Sequence, residues 1–125
     1  MAKQTIQRVE KPWGYELIWA KTETYVGKIL HIKAGHQLSL QYHQIKEETI
    51  FVQSGKMKFI FENENGKLEE VLLSAGEAHH IPRGRKHRMI GVEDCNVFEV
   101  STPHLDDVVR LEDSYGRLPV APGKT

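Results

Sequence analysis

The sequence predicts an all-β domain, a sandwich or barrel of short strands. Apolar patterns with the 3.6-residue period of a helix are scarce, whereas several short segments alternate apolar and polar residues as half-buried strands do. Gly, Pro and Asn separate these segments at intervals of about 8–12 residues, a spacing typical of sandwiches and barrels. In the segment 25–33, for example, Val26, Leu30 and Ile32 share one face of the predicted strand.

Each strand is predicted from its own alternation or its content of β-branched and aromatic residues. In chain order the strands span 25–33, 49–53, 56–62, 67–73, 79–81, 87–90 and 96–101. Asn65-Gly66 predicts a hairpin between the third and fourth of them, because both residues tolerate a positive φ. The segment 104–113 is expected to form one or two helical turns, or a closing strand through 107–111. The predicted organisation is an N-terminal segment 1–10, one domain 11–117 and a C-terminal tail 118–125.

Composition restricts the classes of function. The 125 residues fit one domain. The 17 Lys and Arg balance 17 Asp and Glu, which argues against a nucleic-acid binder that is basic overall and against a membrane-surface protein. No apolar run approaches the roughly 20 residues that span a bilayer. Cys95 is the single cysteine and no signal-peptide pattern opens the chain, so a cytoplasmic protein without an internal disulfide is expected.

Two segments carry residues suited to a metal. In 35–55, Gln41 and His43 are two positions apart, so both project from the same face of a strand. Glu48 opens the next predicted strand after a short turn, which brings a carboxylate toward them. In 76–91, a tight turn at Pro82-Arg83-Gly84 precedes His87. An amide oxygen, two imidazoles and a carboxylate together suit a divalent metal and leave one or two positions open for water or substrate.

The spacing of these residues resembles the two cupin motifs. The first motif is matched by Gly35, His43, Glu48 and Gly55, with Gln41 in the position of the first histidine. The second motif is matched at every spacing by Gly76, Pro82, Gly84 and His87, with Gly91 where Asn is usual. The resemblance implies a single cupin barrel, that is, a double-stranded β-helix or jelly roll.

A closer resemblance covers about residues 11–117. The segments KPWGYE (11–16), LSLQYH (38–43) and DDVVRLEDSYGR (106–117) are similar to the type II mannose-6-phosphate isomerase cupin, here as a stand-alone domain. The resemblance implies that Gln41, His43, Glu48 and His87 bind the metal. It also implies that Zn²⁺ is the expected ion, with Mn²⁺, Fe²⁺, Co²⁺ or Ni²⁺ as alternatives, and that Lys28 lies near the pocket.

One position departs from the family pattern. The family commonly has an Arg three residues after His43, where it is implicated in catalysis, and this chain has Lys46. Lysine keeps the charge but lacks the planar fork of arginine, so the exchange is not conservative at a phosphate or enediolate contact. The departure leaves metal binding intact and weighs against isomerase activity toward mannose 6-phosphate.

The leading functional hypothesis is a metal-dependent aldose–ketose isomerase acting on a sugar phosphate. Lys46, Glu47 and His79 are the candidate catalytic residues. The basic run 83–88 supplies Arg83, Arg85 and Arg88 as candidate phosphate ligands, together with Lys28; a solvated loop is the alternative for this run, and its shortness argues against nucleic-acid binding.

Two other functions stay open at this point. One is a sugar-binding or nucleotide-sugar-binding regulatory cupin without turnover, which the isolated domain and Lys46 favour. The other is a different metal-dependent cupin reaction, such as oxygenase or epimerase chemistry. Gln41 argues against an oxygenase, because an iron site that consumes O₂ more often has histidine at this position. Cupins commonly dimerise by extending a sheet, so we expect a homodimer in which the polar segment 4–10 is an exchanged strand.

Overall fold

The computed structural model describes Lys3 and residues 5–118, and within that part of the chain it contains strands and no helix. The strands are β1 Gln7–Lys11, β2 Gly14–Lys21, β3 Val26–Ile32, β4 Leu40–Tyr42, β5 Glu48–Ser54, β6 Lys56–Glu62, β7 Leu68–Ser74, β8 Ala78–Ile81, β9 His87–Gly91, β10 Cys95–Ser101 and β11 Val109–Glu112. All seven strands predicted from the sequence are present, and the all-β prediction is confirmed.

The strands form two antiparallel sheets. A six-stranded sheet has the order β1-β2-β3-β10-β5-β8, and a five-stranded sheet has the order β11-β4-β9-β6-β7. Non-consecutive strands are neighbours in both sheets, as in a jelly roll rather than a meander. This order places β4 and β5 around one interior with β9 and β10, which lie more than 30 residues further along the chain.

The core lies between the inner faces of the two sheets. Alternation along β5 turns Ile50 and Val52 inward, and both side chains are fully buried. Met57 and Phe59 of β6 meet them from the other sheet and are also fully buried. Burial of side chains of this size contributes about 1.5–3 kcal/mol each.

The hairpin between β6 and β7 forms, but its turn differs from the prediction. Gly66 alone adopts a positive φ, of 77°, and Asn65 does not. The loop spans Asn63 to Lys67, and the side chain of Asn63 accepts hydrogen bonds from the backbone N–H groups of Asn65 and Lys67. The side chain of Asn63 therefore stabilises this longer loop by accepting hydrogen bonds from its backbone.

The two ends of the chain were predicted least well. Strands β1 and β2 were not predicted, although β1 pairs with β2 along its whole length from Gln7↔Ile18 to Lys11↔Gly14. At the other end, the 104–113 segment resolves as the closing strand β11, which pairs with β4. Because β1 pairs within its own chain here, exchange of 4–10 with a second copy stays a prediction. Most of the predicted tail, 119–125, lies outside the described residues.

Candidate metal centre

Three of the predicted ligands converge in the barrel interior. His43, at the end of β4, Glu48, at the start of β5, and His87, at the start of β9, are all buried, and their ligand atoms lie within 4.8 Å of one another. Nε2 of His43 is 3.5 Å from Oε2 of Glu48, and Nε2 of His87 is 3.6 Å from Oε1 of Glu48. Two imidazoles and a carboxylate at this separation form a ligand set for a divalent metal ion.

The two histidines are held in the orientation that a metal requires. Nδ1 of His43 donates to the carbonyl oxygen of Asp107 at 2.5 Å, and Nδ1 of His87 donates to the carbonyl oxygen of Arg85 at 3.0 Å. Carbonyl oxygens only accept, so Nδ1 carries the proton in each ring and the lone pair of a neutral ring is on Nε2. Both Nε2 atoms are buried without a hydrogen-bond partner among the described residues. Two buried nitrogen atoms that lack a hydrogen-bond partner and face one carboxylate are the arrangement expected of metal ligands.

The protonation state of His43 suits ligation. Burial, and next the nearby charge of Lys46, lower the pKa of His43 to about 4. The ring is therefore neutral at pH 7. A neutral imidazole is the form that binds a metal.

Gln41 faces the same interior. It lies on β4 directly opposite His87 of β9 and lines the same cavity as His43 and Glu48. Its Oε1 accepts a hydrogen bond from the hydroxyl of Ser39 at 2.6 Å. An amide oxygen has a second lone pair, so this bond leaves Gln41 able to act as a fourth ligand.

Asp107 holds the loop between β4 and β5 in place. Its carboxylate accepts hydrogen bonds from the backbone N–H groups of Gln44, Ile45 and Lys46. The bonds from Lys46 and Ile45 hold the pKa of Asp107 down, at about 2. Since the carbonyl of Asp107 also orients His43, this residue positions both a ligand and the loop that follows it. Sequence reasoning missed it, because its partners are distant in the chain.

Lys46 is a buried side chain paired with two carboxylates. Its Nζ lies 2.8 Å from Oε2 of Glu48 and 3.1 Å from Oε2 of Glu99 on β10. Burial lowers the pKa of Lys46, but Glu99 and Glu48 outweigh that effect and raise it above its ordinary value. Lys46 is therefore a fixed positive charge beside the candidate metal ligand Glu48.

A cavity of about 100 Å³ opens over Gln41, His43 and Glu48, and His87 is not among its described lining residues. Its apolar wall includes Trp13, Leu30 and Met89. The wall also carries a set of basic side chains, Lys11, Lys28, Lys46, Arg110 and Arg117. Carboxylates that are not candidate ligands are contributed by Glu16 and Glu99.

The basic side chains at this cavity are only partly neutralised. Lys28 pairs with Glu16 at 3.4 Å, and Arg117 pairs with Asp113 at 2.9 Å. Nε of Arg110 is buried and has no hydrogen-bond partner among the described residues. Burial, partly offset by Glu16, lowers the pKa of Lys11, and the neighbouring cations add to the lowering. An anion would relieve this excess of positive charge.

The other predicted site residues lie elsewhere. Glu47 is exposed and hydrogen-bonds His80 at 2.6 Å. His79 is half-buried against the rings of Phe59 and Phe61, in a second cavity of about 250 Å³. Neither Glu47 nor His79 is among the described residues that line the cavity over the candidate ligands.

The predicted phosphate ligands are also divided. Lys28 lines the cavity, whereas Arg83, Arg85 and Arg88 are not among its described lining residues. Arg85 donates to the carbonyl of Glu62, and Arg88 donates to the carbonyl oxygens of Leu38 and Glu112. A contact of Arg83, Arg85 and Arg88 with phosphate therefore stays a prediction. The basic residues that line the cavity together with Lys28 include Lys11, Arg110 and Arg117 instead.

Comparison with known structures supports the fold. An oxalate decarboxylase OxdC deletion mutant from Bacillus subtilis superposes with a TM-score of 0.76 at 16% identity, covering 95% of this chain and 33% of that one. KdgF from Halomonas sp. superposes with a TM-score of 0.69 at 22% identity, covering 80% of this chain and 88% of that one. These neighbours are cupins, and this chain has the cupin fold.

Sequence comparison supports a narrower relationship. Mannose-1-phosphate guanylyltransferase ManC of Salmonella typhimurium is 35% identical over 118 residues, covering 90% of this chain and 23% of that protein. Xanthan biosynthesis protein XanB of Xanthomonas campestris is 35% identical over 117 residues, covering 89% of this chain and 24% of that protein. The chain thus spans about a quarter of the length of these relatives. The family model described as mannose-6-phosphate isomerase C-terminal matches residues 1–113, and the chain belongs to that family.

Proposed function

We propose that this domain is a metal-dependent aldose–ketose isomerase for a sugar phosphate, similar to mannose-6-phosphate isomerase. The observation that carries the proposal is that a cavity with an excess of basic side chains is lined by His43 and Glu48, which form one buried ligand set with His87. The relatives named for work on mannose 1-phosphate support a sugar phosphate as the ligand class.

The metal would be held by His43, Glu48 and His87, with Gln41 completing the set. A bound divalent ion would supply Lewis-acid polarisation of the oxygens on C1 and C2 of the sugar. Zn²⁺ is the proposed ion, since it accepts imidazole and carboxylate ligands with an open position for substrate.

The basic residues of the cavity would hold the phosphate. Arg110 and Arg117 present guanidinium groups, which match phosphate oxygens in two-point contacts, and Lys11 and Lys28 add charge. These four residues lie on different strands and loops, yet all line the cavity over the candidate ligands. A phosphate held there would keep the sugar end of the molecule near the metal.

The isomerisation also needs a base that moves a proton between C2 and C1 through a cis-enediol. Glu16 and Glu99 are the carboxylates of the cavity outside the proposed ligand set, and Oε2 of Glu99 is paired with the ammonium of Lys46. We propose Glu99 as the base and Lys46, at 3.1 Å from it, as the charge that orients it. Glu47 and His79 lie outside this cavity and are weaker candidates.

The experiment is conversion of mannose 6-phosphate to fructose 6-phosphate, followed with protein that is metal-free or loaded with Zn²⁺ or Mn²⁺. Turnover that disappears with chelator and returns with metal supports the proposal. His43→Ala removes a candidate ligand. His104→Ala is the matched control, because among the described residues the side chain of His104 hydrogen-bonds only its neighbour Thr102. Absence of turnover on a panel of aldose phosphates, with metal fully bound, would overturn the proposal that this domain is an isomerase.

A second candidate is a sugar-phosphate or nucleotide-sugar binding domain without turnover. The observation that favours it is Lys46, whose ammonium is already paired with two carboxylates, Glu48 and Glu99. In that case a sugar phosphate raises the melting temperature of the metal-loaded protein, but no product forms.

A further inference from the structure

The second cavity, which His79 lines, lies between the two sheets beside β6, β8 and β9. Its volume is about 250 Å³, compared with about 100 Å³ for the first cavity, which His43 and Glu48 line. An engineered protein cavity of about 150 Å³ with aliphatic and aromatic walls binds benzene. The second cavity therefore has room for a ligand larger than one six-membered ring.

The inner wall of the second cavity is aromatic. Phe59 and Phe61 lie two positions apart on β6, so they share one face of the strand, and their ring centroids are 5.8 Å apart. The ring of His79 is tilted against both, at 4.8 Å from Phe59 and 4.6 Å from Phe61. Ile81, on the same strand as His79, adds an aliphatic surface. A planar aromatic ligand gains stacked and edge-to-face contacts with such a wall, beyond the burial of its area.

One polar atom of this wall is available to a ligand. Nδ1 of His79 donates to the carbonyl oxygen of His80 at 2.8 Å, so the lone pair of the neutral ring is on Nε2. Nε2 makes no hydrogen bond to the residues that the structure describes. The wall therefore offers an acceptor, which pairs with a ligand that donates an N–H.

The charged side chains at the second cavity balance one another. Glu62 and Glu64 line it together with Arg85 and Lys86. Glu62 accepts a hydrogen bond from the backbone N–H of Lys86 at 3.1 Å, and the guanidinium of Arg85 donates to the carbonyl oxygen of Glu62 at 3.3 Å. The described lining residues thus include as many acidic as basic side chains, unlike those of the first cavity. This balance favours a neutral ligand.

The second cavity also borders the candidate metal centre. His87 is among its lining residues, and the ring of His87 lies 6.2 Å from that of Phe59. Nε2 of the same histidine faces Glu48. Arg85, whose carbonyl oxygen accepts the hydrogen bond from Nδ1 of His87, lines the cavity as well. A ligand in the second cavity therefore lies beside both a candidate metal ligand and the residue that orients it.

We propose that the second cavity is a binding site for a neutral planar ring system that donates one N–H, which is the chemistry of an indole. The rings of Phe59, Phe61 and His79 contact the ligand ring, and Nε2 of His79 accepts its N–H. A nucleobase is a poorer match, because several polar atoms of its edge would lie unpaired against the apolar wall. The site is separate from the proposed sugar-phosphate site and does not depend on isomerase activity.

Isothermal titration of the full 125-residue chain with indole tests this site. The matched probe is 1-methylindole, which has the same rings but no N–H. One indole per chain is expected, and 1-methylindole should bind about threefold to tenfold more weakly, as expected for the loss of one hydrogen bond. His79→Leu should abolish this difference, because it removes the acceptor and keeps an apolar wall. His104→Leu, at a histidine bonded to Thr102, is the control and should retain the difference.

Further variants locate the binding in the second cavity. Phe61→Ala should weaken indole binding by about tenfold. Phe51→Ala makes the same change at a residue of β5 that is 40% exposed, and it should leave binding unchanged. Arg110→Met should also leave it unchanged, because Arg110 lines the first cavity and is not among the described lining residues of the second.

Two results together support the proposal, provided that circular dichroism shows the variants to be folded. Phe61→Ala weakens indole binding more than Phe51→Ala does, and His79→Leu loses the preference for indole over 1-methylindole. Absence of indole binding up to its solubility limit overturns the proposal. Equal binding of the two probes by the wild type, or equal effects of Phe61→Ala and Phe51→Ala, overturns it as well.

Discussion

Lys46 and Glu99 form a buried ion pair in the barrel interior, with Nζ of Lys46 3.1 Å from Oε2 of Glu99. The same ammonium lies 2.8 Å from Glu48, a candidate metal ligand. One lysine therefore compensates two buried carboxylates, and the candidate metal centre depends on a residue that is not itself a ligand.

Replacement of Lys46 by methionine should destabilise the metal-free protein. The variant leaves Glu48 and Glu99 buried without their cation, and removal of one partner from a buried ion pair costs about 3–5 kcal/mol of unfolding free energy. Urea denaturation of metal-free protein measures this. Lys58→Met is the control, because the exposed pair Lys58–Glu70 contributes about 0–1 kcal/mol. Equal losses in the two variants would contradict the buried network.

Metal should stabilise the folded protein through the histidine ligands. Binding at a hundred times the dissociation constant adds about 2.7 kcal/mol to the unfolding free energy. We expect Zn²⁺ to raise the melting temperature of the wild type, and to leave that of His43→Ala and His87→Ala almost unchanged. His80→Ala, whose imidazole is exposed and bonded to Glu47, should respond as the wild type does. A full response in the two ligand variants would place the metal elsewhere.

The metal-free protein should lose stability as the pH falls from 6.5 toward 4. The pKa of His43 is lowered to about 4 in the folded state, from its ordinary value of 6.5. The folded state thus binds fewer protons than the unfolded chain in this range. The contribution of His43 to the unfolding free energy is therefore complete above pH 6.5 and is lost as the pH falls through 4. Chemical denaturation at several pH values measures the slope. His43→Leu should flatten it, and an unchanged slope would assign it to another group.

Asp107 should act on metal affinity without being a ligand. Its carboxylate holds the N–H groups of Ile45 and Lys46, while its carbonyl orients His43. Asp107→Ala retains the carbonyl but frees the loop, and we expect metal affinity to fall tenfold to a hundredfold, as is typical for groups that orient ligands. Competition with a chromogenic chelator measures the affinity. Asp106→Ala, at an exposed neighbouring residue, is the control.

Arg110 should affect the binding of sugar phosphate and not of metal. Its buried Nε has no hydrogen-bond partner among the described residues, and its side chain lines the cavity. A hydrogen bond between charged groups contributes about 1.5–3 kcal/mol, so Arg110→Met should weaken phosphate binding by about tenfold to a hundredfold. Isothermal titration with mannose 6-phosphate measures this. Arg83→Met is the control, and a larger loss there would return the phosphate site to the basic run 83–88.

Within the part of the chain that the structure describes, no helix is long and apolar enough to cross a membrane.

Local patterns explain which predictions were confirmed. The strand at 56–62 coincides with β6, because Met57, Phe59 and Phe61 alternate with mostly polar residues and a hairpin turn follows it. Motif spacing predicted that His43, Glu48 and His87 form one group, and their ligand atoms lie within 4.8 Å of one another in the barrel. Strand β1 was missed, because its polar residues, such as Arg8 and Glu10, lie at an exposed sheet edge with little apolar alternation to detect. Strand β2 was missed because its pattern is inverted, with the charged Glu16 buried and the apolar Trp19 exposed.

The all-β class, the cupin resemblance and the candidate ligands could all be predicted from the sequence, since each depends on local alternation or on spacing within one of two short motifs. Only the tertiary structure decided which charges surround the site. Lys11 and Arg110 come from opposite ends of the chain and line one cavity, whereas Arg83, much closer in sequence to His87, is exposed and is not among its described lining residues. The reason is physical: strand order in a jelly roll is set by pairing between distant segments, and neither local alternation nor motif spacing encodes that order.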